Sequence, residues 1–227
     1  MIGIIGAMEM ETRALVEGVR NAKSETVSGI TYTRGELEGK EVVIATCGVG
    51  KVYAAVCAQT MILRYQPTLI INTGVAGTLS PALGIGDIAI ATELLQHDMD
   101  TSAIGDPIGL VSGINRIYFE ADSKTVQKLT DCVTACGGRA ERGRIASGDQ
   151  FVADAARKKF IRDQFSAIAC EMEGAAIAQV ATVNGVPFAV LRAISDSADG
   201  GATMDFPTFA AEASARSVAV LRKFLQA

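Results

Sequence analysis

Apolar, strand-like runs alternating with helical segments predict an α/β fold, a three-layer sandwich with a central mixed, mostly parallel sheet flanked by helices. Three observations carry this expectation. Residues 2–6, 68–72 and 187–194 are apolar on both faces, as strands covered by helices on both sides must be. Segments with helical periodicity separate them. Carboxylates then appear where strands stop, in Gly6-Ala7-Met8-Glu9-Met10-Glu11, Glu171-Met172-Glu173 and Arg192-Ala193-Ile194-Ser195-Asp196. In open α/β sheets ligands bind beyond the carboxyl ends of strands, so the three groups point to one site.

The elements follow in order. Residues 2–6 form a strand ending in Gly6, and residues 9–19 a helix. Residues 30–37 and 41–47 make a hairpin around Glu38-Gly39-Lys40. Gly48-Val49-Gly50 opens a helix from Lys51 to about Tyr65, with Val52, Val56 and Ile62 turned inward, and Pro67 stops it. Residues 68–72 are a strand feeding Thr73-Gly74-Val75-Ala76-Gly77, and residues 87–91 are another. Residues 97–115 are irregular and suit a lid or a subunit contact. Helices at 122–136, 153–164 and 173–183 then alternate with strands at 143–147, 167–170 and 187–194. The last helix runs from near Phe206 to Leu225, burying Phe209, Ala213, Val220 and Phe224.

The chain has 227 residues, 49% hydrophobic and 20% charged, a globular composition that fits one domain. A formal charge of -4 offers no basic field, which disfavours nucleic acid as a partner. No apolar stretch reaches the ~18 residues of a membrane span. The first residues lack the pattern of a secretory signal, so a cytoplasmic protein is expected. Five cysteines without framework spacing argue against a disulfide scaffold. Cys132 and Cys136 share a helical face with Leu129 and Val133, which reads as buried thiols. With His97 the single histidine, no metal site is expected.

Gly48-Val49-Gly50-Lys51 resembles a phosphate loop, yet that loop needs Gly at 45 and Ser or Thr at 52, where Ala45 and Val52 stand. The acids also have a plainer use. Glu9, Glu11, Glu171 and Glu173 all fall at helix starts, where carboxylates cap the backbone and complement the dipole. Against that, all three groups follow strands, and Met8 and Met172 within them, with Phe151 and Phe206 in nearby motifs, offer apolar surface suited to a flat heterocycle joined to a sugar.

The opening Gly3-Ile4-Ile5-Gly6-Ala7-Met8-Glu9-Met10-Glu11 is similar to that of the bacterial 5'-methylthioadenosine/S-adenosylhomocysteine nucleosidases. So are Asn72-Thr73-Gly74-Val75-Ala76-Gly77, Ser147-Gly148-Asp149-Gln150-Phe151, Glu171-Met172-Glu173-Gly174-Ala175-Ala176 and Arg192-Ala193-Ile194-Ser195-Asp196. The resemblance covers residues 1–227. It implies hydrolysis of the N-glycosidic bond of an adenine thionucleoside in methionine salvage, by a homodimer with no metal or organic cofactor. Glu11 would be the general base for water and Asp196 the acid that protonates adenine N7. Glu173 would hold the ribose hydroxyls over Met172, while Phe151 stacks on the base and the backbone of Val152 reads its edge. Arg192 and Ser195 would orient the water and the aspartate, with Met8 and Phe206 at the alkylthio end. Val75 stands in the substrate site where relatives often carry Ser. In the 97–115 loop, Ile104, Asp106 and Ile108 replace aromatics that many relatives lend to a partner's pocket.

Two other readings use the same residues. A phosphorylase of this fold needs cationic donors for phosphate, and the Gly6 and Gly74 turns contain no arginine. A nucleoside-binding protein without turnover would need the pocket but not Glu11 and Asp196 together.

Overall fold

The structure, a computed structural model, describes residues 1–196 and 206–227, with side chains from Phe209 onward in the last helix. Its strands are β1 (Ile2–Gly6), β2 (Arg20–Val27), β3 (Ile30–Leu37), β4 (Lys40–Thr46), β5 (Leu69–Thr78), β6 (Ile88–Gln96), β7 (Phe119–Glu120), β8 (Ala140–Ser147), β9 (Ala167–Glu171) and β10 (Phe188–Asp196). Its helices are α1 (Glu9–Val16), α2 (Lys51–Tyr65), α3 (Ser123–Ala135), α4 (Ala155–Phe165), α5 (Gly174–Val183) and α6 (Phe206–Gln226).

The sheet is mixed. Parallel pairing joins β4, β1, β5 and β10, and separately β6, β8 and β9. Antiparallel pairing links β10 to β6 and brings β9 back to β5 through Gly77↔Cys170 and Thr78↔Ala169. The sheet therefore closes on itself around β5, β10, β6, β8 and β9, while β1, β4, β3 and β2 extend it on one side. β5 takes part in both halves, and glycines at 74 and 77 within it let the long strand bend. As a result, the carboxyl ends of β1, β5, β9 and β10 surround one space.

Alternation along the strands sends neighbours to opposite layers. Ile5, Ile70, Phe188 and Val190 pack with Ala54, Cys57, Met61 and Ile177 of α2 and α5. Ile4, Ile71, Ala189 and Leu191 pack instead with Leu15, Leu129, Val133 and Leu221 of α1, α3 and α6. A smaller cluster, with Leu95, Ile161 and Phe165, seats α4. Each fully buried aliphatic side chain contributes about 1.5–3 kcal/mol.

Several details differ from the sequence expectation. α2 buries the small stripe Ala54, Cys57, Ala58 and Met61, which lets α5 approach closely, and it leaves Val52 and Val56 exposed. β2 was not expected, because a strand exposed along nearly its whole length shows no alternation. Cys136 caps α3 at the surface and is exposed, whereas Cys132 is buried.

Candidate active site

The strand ends enclose a cavity of about 390 Å³. Met8 and Glu11 enter it after β1, and Val75 from within β5. Phe151 and Val152 come from the segment before α4, Met172 and Glu173 from the β9–α5 turn, and Ser195 and Asp196 from the end of β10. Arg192 does not line the cavity but lies fully buried behind it. The Phe206 side chain lies outside the described residues.

Glu11 is both a cap and a site residue. Its Oε2 accepts the backbone N–H groups of Ala7 at 2.7 Å and Met8 at 2.9 Å, completing a capping box at the start of α1. Its Oε1 accepts the Val75 N–H at 3.1 Å, tying the carboxylate to β5. Burial raises its pKa, and Arg192 and the three N–H donors oppose that rise. The outcome is a fixed carboxylate with raised basicity, as a general base requires.

Behind the cavity, Arg192 donates through Nε to Glu171 Oε2 at 3.1 Å and through Nη2 to both Glu171 and Asn72. Glu171 also accepts the Gly174 N–H at 2.8 Å and the Ser147 hydroxyl. Glu171 is thereby engaged on all sides as an anchor. Glu173 is engaged less fully: its Oε1 accepts the Gly50 N–H at 2.9 Å, and its Oε2 lies 3.9 Å from Arg192 Nη2. Gly50 sits at φ +100°, a left-handed conformation that a side chain would strain. The Gly48-Val49-Gly50 turn thus orients a carboxylate rather than a phosphate.

Burial first, and the Glu171 charge next, push the Glu173 carboxyl up to about 7. A carboxyl raised in the folded state stabilises the fold fully below its ordinary value, and that contribution is lost as pH rises toward the folded value. The protein should therefore lose thermal stability between about pH 4.5 and 7. Glu173→Gln, which stays neutral, should lose less. A variant whose melting temperature falls as steeply across this window would show that Glu173 is not the source.

Asp196 faces the cavity between two elements. Its Oδ2 lies 3.1 Å from Lys158 Nζ of α4, and Ser195 Oγ donates to its Oδ1 at 3.4 Å. Opposite it in the sheet stands Gly77, where a Cβ would come within 2.9 Å of Oδ2. A side chain at 77 would displace the carboxylate. Sequence reasoning assigned nothing to Lys158, Asn72 or Ser147. Only the spacing of Lys158 with the buried Ile161 and Phe165, three and seven residues on, marks it as lying in a buried stripe.

The family model of the phosphorylase superfamily matches residues 1–226. A Shewanella halifaxensis protein named 5'-methylthioadenosine/S-adenosylhomocysteine nucleosidase is 41% identical over 99% of this chain and 98% of its own. Among solved structures, the nucleosidase of that name from Neisseria meningitidis, in complex with methylthio-immucillin-A, superposes with a TM-score of 0.95. It shares 36% identity and covers 99% of this chain and 98% of its own. The futalosine hydrolase of Helicobacter pylori superposes with a TM-score of 0.93 at 36% identity, covering 98% and 96%.

Proposed function

The chain belongs to the phosphorylase superfamily and within it to the 5'-methylthioadenosine/S-adenosylhomocysteine nucleosidases, and from that premise we propose how its residues divide the hydrolysis of these nucleosides into adenine and a 5-alkylthioribose. The observation that carries the proposal is the pair of buried carboxyls, Glu11 in the first turn of α1 and Asp196 at the end of β10, facing one cavity in different environments. One is held by three backbone N–H groups, the other by a lysine. Separating the surroundings of two carboxyls lets one serve as base while the other serves as acid.

Cleavage of the C1'–N9 bond moves its electron pair onto adenine and leaves an oxocarbenium-like ribose. Asp196 gives its proton to N7, so adenine leaves neutral. Glu11 takes a proton from the water whose oxygen bonds to C1'. Glu173 accepts hydrogen bonds from the ribose hydroxyls, with Met172 beneath the sugar. Phe151 stacks on the base and the Val152 backbone reads its edge. Ser195 orients Asp196, and Arg192 steadies the acids from behind. Met8 and Phe206 are assigned to the alkylthio end, beside Val75.

Water is favoured over phosphate as nucleophile by the charge of the wall. The one cationic side chain lining the cavity among the described residues, Lys158, is paired with Asp196, and a phosphate site needs several cationic donors.

The chain is proposed to act as a homodimer. Val49, Val52 and Tyr53 at the start of α2, with Phe151 across the cavity mouth, are exposed apolar groups that a second copy would cover. A single domain in the cytoplasm completes this reading, consistent with five free cysteines. Purified protein should release adenine from both 5'-methylthioadenosine and S-adenosylhomocysteine over many turnovers. Stoichiometric binding without release would instead favour a nucleoside-binding protein.

A further inference from the structure

Lys158 is the charged residue of α4 that does not reach solvent. The helix is otherwise rich in exposed charge, yet Lys158 shares a face with Ile161 and Phe165 and is 5% exposed, as is Asp196. A buried ion pair is weak grounds for stability, since apolar replacements of the same shape are often as stable. The location of this pair is more telling: both partners line the nucleoside cavity, and the carboxylate is confined by Lys158, Ser195 and the bare Cα of Gly77.

We propose that Lys158 is a positioning residue for the departure of adenine, holding the Asp196 carboxyl toward the base and stabilising the carboxylate that remains once its proton has gone to N7. The inference rests on the reading of Asp196 as the acid. With the proton for N7 still on Asp196 the attraction to the ammonium is weak, and the ion pair is the state that follows transfer. After transfer, the ammonium faces a full negative charge at 3.1 Å, with both side chains buried from solvent. An interaction present only after the proton has moved lowers the barrier rather than tightening substrate binding. The bookkeeping is closed within the site: one proton passes from Asp196 to N7, the C1'–N9 electrons leave with neutral adenine, and solvent reprotonates Asp196 after release.

The test compares two substrates: 5'-methylthioadenosine, whose base needs a proton, and a 4-nitrophenyl 5-methylthioriboside, whose leaving group departs without one. Lys158→Met keeps the length and apolar stem of the side chain. It should lower kcat on the nucleoside by about 10- to 100-fold, part of the range for positioned proton transfer, with KM little changed and the aryl riboside spared. Lys158→Arg, which keeps the charge, should recover much of the loss. In an Asp196→Asn background Lys158→Met should cost nothing more, because the two act as a unit. If Lys158→Met alone does not fold, the double variant removes the unpaired charge, and its comparison with Asp196→Asn gives the same answer.

Equal losses on both substrates, or a further loss on both in the Asp196→Asn background, would overturn the role of Lys158 while leaving the acid in place. If Asp196→Asn itself slows both substrates alike, the acid assignment fails, and the role of Lys158 fails with it.

Discussion

Glu11→Gln is expected to lower turnover by about 10²- to 10⁴-fold, the usual contribution of a positioned general base. The amide cannot take the proton of the attacking water. It also has one acceptor where the carboxylate uses two, so its NH2 must oppose either the Ala7 and Met8 N–H groups or that of Val75. Adenine binding, measured calorimetrically, should survive better than turnover, because the base is recognised by Phe151, Val152 and Asp196 in the proposed arrangement. A near-normal rate in this variant would reduce Glu11 to the helix cap that it also is.

Arg192→Met should be the most damaging substitution to the fold. The guanidinium neutralises Glu171, lies 3.9 Å from Glu173 and offsets the burial of Glu11. Its removal leaves Glu171 a buried, unpaired carboxylate, and breaking such a pair costs about 3–5 kcal/mol. The loss should grow with pH, since protonated carboxyls need no cation and ionised ones do. Urea titrations at pH 5 and pH 8 would measure both the size and the sign. A small, pH-independent change would mean that the Ser147 hydroxyl and the Glu173 and Gly174 N–H groups hold Glu171 without the arginine.

The elements that face the core on both sides were legible in sequence. β1, β10 and the helices after them appear as apolar runs and periodic segments because burial dictates their composition. β2 was not legible, since an exposed strand of Arg, Lys, Ser and Glu carries no buried face to mark it. α2 shows apolar residues on two faces, and composition alone does not say whether the small stripe or the valines turn inward. The closure of the sheet from β9 back to β5 depends on a bend in one strand, which periodicity does not encode.

The site divides in the same way. Glu11, Glu173 and Asp196 stand out because acids ending apolar runs contradict the surroundings they terminate. Arg192 is a charge inside a fully buried strand and is conspicuous for that reason. Lys158 sits beside Arg157, Lys159 and Arg162, so its buried position is masked by neighbours of the same charge, of which Lys159 and Arg162 face water. Asn72 and Ser147 act by holding other side chains, a role visible only from partners distant in the chain.

The most direct test of the central claim, that Glu11 activates water as the nucleophile while Asp196 protonates the departing adenine, is the identity of the sugar product. 5'-Methylthioadenosine is incubated with the protein in phosphate buffer, and the products are followed by phosphorus NMR and chromatography. The account predicts one equivalent of free 5-methylthioribose for each adenine released, at a rate unchanged when phosphate is omitted. A sugar 1-phosphate, formed only when phosphate is present, would contradict it.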